Sequence, residues 1–114
     1  MRRRRWRAPN NPTAPARQVW SALFPREPWP KGWRVVWVGF MRGAAGLTIY
    51  SERRVALSWG DARARTAEAR QWGAVDTLIH EFVHMRCGHG LRHGREFTRL
   101  ENALRAKLGM EARP

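Results

Sequence analysis

The sequence predicts an α+β domain in which a small three-stranded antiparallel sheet packs against a histidine-bearing helix and a C-terminal helix. Three observations predict it. Apolar segments rich in β-branched and aromatic residues follow one another between residues 33 and 59. Val75, Leu78, Ile79, Phe82 and Val83 then form a stripe at helical spacing. A second stripe, Phe97, Leu100, Leu104 and Leu108, follows after a glycine-bearing break.

The elements can be justified in order. Residues 1–15 combine a run of arginines with Pro9, Pro12 and Pro15 and offer no periodic apolar face, which predicts a flexible basic arm ahead of a single domain, 16–114. From Ala16 to Phe24, the residues Val19, Trp20, Leu23 and Phe24 fall on one helical face, and Pro25 stops the pattern. "PREPWPKG" is then a stiff connector. "WRVVWVGFM" (33–41) reads as a strand, "RGAAG" as a turn, and "LTIY" as a second strand. In "RVALSW", Val55, Leu57 and Trp59 alternate with Arg54, Ala56 and Ser58, the period of a half-buried strand. The three strands are expected to pair in sequence as an antiparallel meander. "GDARARTAEARQW" reads as a helical lead-in, weakened at Gly73 by about 1 kcal/mol relative to alanine. The helix through His80 and His84 ends at "CGHG", where Gly88 and Gly90 can turn left-handed. The last helix is expected from Arg95 to Lys107.

Composition narrows the partners. A chain of 114 residues suits one modest core, so an active site should be an open cleft. The net charge of +13 favours nucleic acid phosphates or another anionic surface, through the basic surface and the N-terminal arm. Heavy arginine and alanine usage can also arise from GC-rich coding. The single cysteine, Cys87, excludes an internal disulfide and a cysteine-only zinc site, and is itself read as a small buried apolar residue. The N-terminal arginines lead into no apolar signal region, and no run approaches the roughly 20 apolar residues of a membrane span. A soluble, cytoplasmic monomer is expected.

The chemistry concentrates in "HEFVHMRCGHGLRHGREF", residues 80–97. His80 and His84 lie four apart on one helical face, where two imidazoles can share a metal. Glu81, beside His80, is placed to take a proton from a metal-bound water. A catalytic zinc needs a third protein ligand. The candidates are His93, His89, Cys87, Glu96 and Glu101. His93 is preferred, because enough chain intervenes for it to return and the last helix can fix its position. Tyr50, the only tyrosine, is read as a packing residue on a strand.

"DTLIHEFVH" followed by "HGREF" resembles the SprT-like zincin metallopeptidases, which include the Spartan-type proteases of DNA–protein crosslinks. The resemblance covers roughly residues 33–108. It implies a zincin-like fold, zinc held by His80, His84 and His93, and Glu81 as general base in peptide hydrolysis. Gly94 and Phe97 would be the structural glycine and the packing aromatic, and "RRVALSW" the edge strand along which an extended substrate lies. No CxxC pairs follow, so this would be a compact member without the C-terminal zinc ribbon that some relatives carry. The substrate it implies is a protein or peptide, acting in some members on proteins associated with nucleic acid.

Overall fold

The computed structural model describes residues 12–38, 45–58, 67–88 and 93–113. Residues 1–11, the turn at 42–44, Trp59, His89 and Gly90, on which parts of the sequence reading fall, lie outside them. Among the described residues the fold is α+β, with three α-helices and one small sheet.

Helix α1 spans Thr13–Leu23, so residues 13–15 belong to the fold rather than to the arm. It buries Trp20 and Leu23 of the face read from the sequence and Ala16 besides, with Phe24 buried just beyond its end and Val19 half-buried. The hydroxyl of Thr13 accepts from the amide of Val35 and donates to its carbonyl, both at 3.0 Å. The connector is pinned by its own Trp29 and by Trp20 of α1. Trp20 Nε1 donates to the Glu27 carbonyl at 3.2 Å, and Trp29 Nε1 to that of Trp33 at 2.9 Å.

Strands β1 (Arg34–Val38), β2 (Gly46–Ile49) and β3 (Arg54–Ser58) form a sheet in the order β1-β3-β2. It is mixed: β3 pairs in parallel with β1 and antiparallel with β2. The expected antiparallel meander is therefore corrected, and burial explains why. Val55, Ala56 and Leu57 are all buried, so β3 is covered on both faces and takes the centre. Ala56, on the face expected to be solvated, is small enough to be packed over. A meander would have centred β2, whose Leu47 is 52% exposed. A 3-10 turn, Tyr50–Glu52, joins β2 to β3, and the left-handed Arg53 closes it.

Helix α2 runs from Ala67 to Cys87 and α3 from Arg95 to Lys107, the latter with the bounds read from the sequence. Gly88, at φ 66°, terminates α2 as a left-handed glycine does. The core joins Trp20, Leu23 and Phe24 of the α1 region to Val35, Val55 and Leu57 of the sheet and to Ile79 and Phe82 of α2. The Phe82 ring meets Trp20 edge-on at 5.1 Å and Trp29 at 5.9 Å. Lys107 ties α3 to α1 by donating to the Leu23 carbonyl at 2.8 Å. Among the described residues, no helix is long and apolar enough to cross a membrane.

Phe82 is fully buried, so Phe82→Ala should destabilise the protein by about 3–5 kcal/mol. Leu47→Ala, at an exposed side chain, should stay within about 0.5 kcal/mol. Denaturant unfolding of both variants checks the contrast.

Candidate metal centre

One turn of helix separates His80 from His84, and their ring centroids lie 5.0 Å apart on the same face of α2. His93 precedes α3 and brings its ring to 4.7 Å from His80 and 4.8 Å from His84. Phe97, in the first turn of α3 and 2% exposed, lies 4.7–4.8 Å from all three imidazoles. The aromatic ring is thus a common packing platform for the three histidines. One nitrogen from each lies within 4.8 Å of the others, and the Nε2 atoms of His84 and His93 are 2.8 Å apart. Nitrogens held about 2.0–2.1 Å from a tetrahedral ion are about 3.3 Å from each other, so small side-chain shifts suffice to seat a metal. The three histidines are therefore close enough to hold one ion.

A carboxylate orients the first of them. Glu101 Oε1 lies 2.7 Å from His80 Nδ1, which therefore carries the proton and leaves Nε2 free to ligate. Glu101 is in turn fixed by Arg105, whose Nη2 donates to Oε2 at 2.6 Å. Arg105 Nε donates to Asp76 of α2 at 2.8 Å, and Asp76 also pairs with Arg113. Burial alone would lower the Arg105 pKa, but hydrogen bonds to Asp76 and Glu101 outweigh it and hold the guanidinium charged. Burial, reinforced by the His80 and His93 rings, lowers the His84 pKa to about 4. Its imidazole is neutral at pH 7, the form that ligates a metal.

Glu81 is 3% exposed, and Thr48 of β2 donates to its Oε2 at 2.5 Å. Burial raises its pKa, the Thr48 hydrogen bond and His80 oppose the rise, and the charge of Glu101 adds to it. Gly46 permits this approach, because a Cβ there would lie 2.5 Å from Thr77 Cγ2 and 3.3 Å from the Glu81 carboxylate. The strand beside Glu81 is therefore β2. "RRVALSW", expected as the edge, supplies the central strand β3, for the burial reason given above. Tyr50 is not on a strand. Its hydroxyl is shared between the carbonyls of His84 and Gly88, at 3.2 and 3.3 Å, closing the end of α2.

Of the candidate third ligands, His93 joins the pair, whereas Glu96 is exposed on α3 and binds Arg99 at 2.5 Å. Cys87 is exposed rather than buried, because it is the last residue of α2. Glu101 reaches the site through His80 instead of ligating. That role had a sequence signal: Glu101 falls between Phe97 and Leu104 in the apolar stripe, with Arg105 four residues on. A charge in such a stripe implies a buried partner. The parts of Thr48 and Asp76 had none, since both depend on packing between distant segments. No protein family, curated protein or solved structure matches the chain.

Glu101→Gln should weaken binding of a divalent metal at the three histidines by about 10–100-fold, while Glu96→Gln leaves it unchanged. Competition with a chromophoric chelator measures both. In the metal-free protein, NMR titration should place the His84 midpoint well below its ordinary value near 6.5. As pH falls from 6.5 toward 4, the unfolded chain takes up a proton that the native ring refuses, so this group's contribution to stability is lost across that window.

Proposed function

We propose that the chain is a zinc-dependent metallopeptidase of the SprT-like, zincin-like kind, cleaving protein or peptide substrates. The observation that carries this reading is the placement of Glu81. A buried carboxylate, steadied at one oxygen by Thr48, follows His80 on α2 and interacts electrostatically with it, and His80 is one of three convergent imidazoles. Three imidazoles with an orienting carboxylate fit zinc better than the oxygen-seeking magnesium or calcium.

His80, His84 and His93 are the residues that would hold the ion. When bound, zinc supplies a Lewis acid and an acidified water. Glu81 accepts a proton and later returns it to the nitrogen of the departing amine. Its Oε2 is occupied by the Thr48 hydroxyl, so Oε1 is the atom available for the transfer. Burial suits it to the task, because a raised carboxylate pKa brings its basicity nearer neutral pH. Strand β2 lies beside this base at the edge of the sheet, and an extended substrate would pair along it.

The Glu81→Gln protein should retain zinc while cleavage of a denatured protein falls at least about 100-fold. Chelation should abolish cleavage by the parent and added zinc restore it. A Glu81→Gln protein that keeps zinc and cleaves at the parental rate would sink the assignment.

A further inference from the structure

The register of the sheet fixes which backbone groups of β2 face outward. The Ser58 amide donates to the Ala45 carbonyl at 2.9 Å, so these residues form a hydrogen-bonded pair at one end of the ladder between β2 and β3. Hydrogen-bonded and non-hydrogen-bonded pairs alternate along an antiparallel ladder. Leu47 opposite Ala56 and Ile49 opposite Arg54 therefore bond inward to β3, whereas Gly46 and Thr48 turn their amides and carbonyls away from it. The far side of β3 has the matching phase, since the Arg53 carbonyl accepts from the Arg34 amide of β1 at 3.1 Å. Among the described residues, no strand lies beyond β2.

Gly46 and Thr48 also share one face of the strand, because side chains two residues apart point the same way. That face lies against α2. A Cβ at Gly46 would meet Glu81 Oε1 at 3.3 Å, and the Thr48 hydroxyl donates to Glu81 Oε2 across 33 residues of sequence. Thr48 therefore reaches in two directions at once. Its backbone offers a donor and an acceptor to a further strand, while its side chain holds one oxygen of the carboxylate. The link between the two is stiff, because branching at Cβ restricts χ1. The carboxylate is buried, so few waters can stand in for the hydroxyl if it leaves. Bonded to a strand on one side only, β2 gains order from a second partner.

We infer that Thr48 is a positioning residue that couples strand pairing along β2 to the orientation of Glu81. An extended segment bonded to the outward groups of Gly46 and Thr48 fixes the Thr48 backbone, and the hydroxyl passes that constraint to Oε2. Oε1 is then held in a narrower range of directions than when β2 is bare. The chemistry this selects is an unfolded or extended chain, because helical and sheet-bound segments have already used the N–H and C=O groups that pairing needs. Its catalytic consequence rests on the peptidase reading, whereas the coupling itself is a property of the metal-free protein. A hydrogen bond that served only to satisfy a buried carboxylate would be indifferent to what lies along β2.

The test uses the full chain and a glutamate-capped peptide of alternating valine and threonine, about eight residues long, against its fully N-methylated copy, which has no N–H to donate. In the metal-free protein, NMR should show the Gly46 and Thr48 amides shifting and gaining protection from hydrogen exchange with the first peptide only. Those of Leu47 and Ile49 should hold still. The Glu81 carboxyl carbon should respond with them in the parent and in Thr48→Ser, but not in Thr48→Val, which keeps the backbone pairing. Thr48→Ala, which removes the same hydroxyl, should behave as Thr48→Val does. A Glu81 response of equal size in Thr48→Val and Thr48→Ala, or no binding by the parent, would overturn the coupling. With zinc loaded, lengthening a fluorogenic peptide to cover β2 should raise kcat in the parent and in Thr48→Ser. That gain should fall at least about tenfold in Thr48→Val, with KM and zinc affinity unchanged. Zinc-dependent cleavage that keeps the full gain in Thr48→Val would also overturn the coupling. A parent that shows the coupling by NMR but cleaves nothing would overturn the peptidase reading and leave the coupling standing.

Discussion

The buried guanidinium of Arg105 is the constraint on which the candidate centre depends. It is 2% exposed and joins Asp76 of α2 to Glu101 of α3, so the two helices are fixed through one cation shared by two carboxylates. A lone charge at that depth would be strongly destabilising, and the matched arrangement is what makes it tolerable. From this register everything at the centre follows. Asp76 lies one turn before His80, and Glu101 reaches His80 from across the interface. Phe97, one turn before Glu101, is thereby carried under all three imidazole rings. The hydrophobic contact between α2 and α3 is non-directional and would tolerate small slips. The ion network would not, because a slip separates each hydrogen bond from its partner.

The two ends of the sheet are treated in opposite ways. Around α2 and α3, acidic residues meet the cations, and the resulting pairs hold structure. At the start of β1 and β3, arginines outnumber the acids and project to solvent.

How much was legible in the sequence depended on the range of the interaction. The bounds of α3 and the buried stripes of α1 and α2 were legible because helical periodicity is local. So was the pairing of His80 with His84. His93 was reached from chain length and the position of the last helix, the burial of Phe97 from the apolar stripe of that helix, and its packing role from the family resemblance. Strand order was not legible, because Arg54, Ala56 and Ser58 look like a solvated face and nothing local reveals that Ala56 is covered. The error in the sheet carried over to the strand expected at its edge, because "RRVALSW" supplies the central strand β3. Cys87 was misread for a related reason, since its residue type suggests burial while its position at the last turn of α2 decides against it. The Thr48 contact with Glu81 spans 33 residues and has no counterpart in any short pattern.

Thr13 gives the sheet a handedness of access. Its hydroxyl occupies both the amide and the carbonyl of Val35, the outward-facing groups through which a further strand would bond to β1. Among the described residues, the β1 border is thus bonded by its own helix at Val35, whereas β2, beside Glu81, has no further strand on its outer side. A strand arriving at β1 would have to displace Thr13 from Val35 before it could pair there.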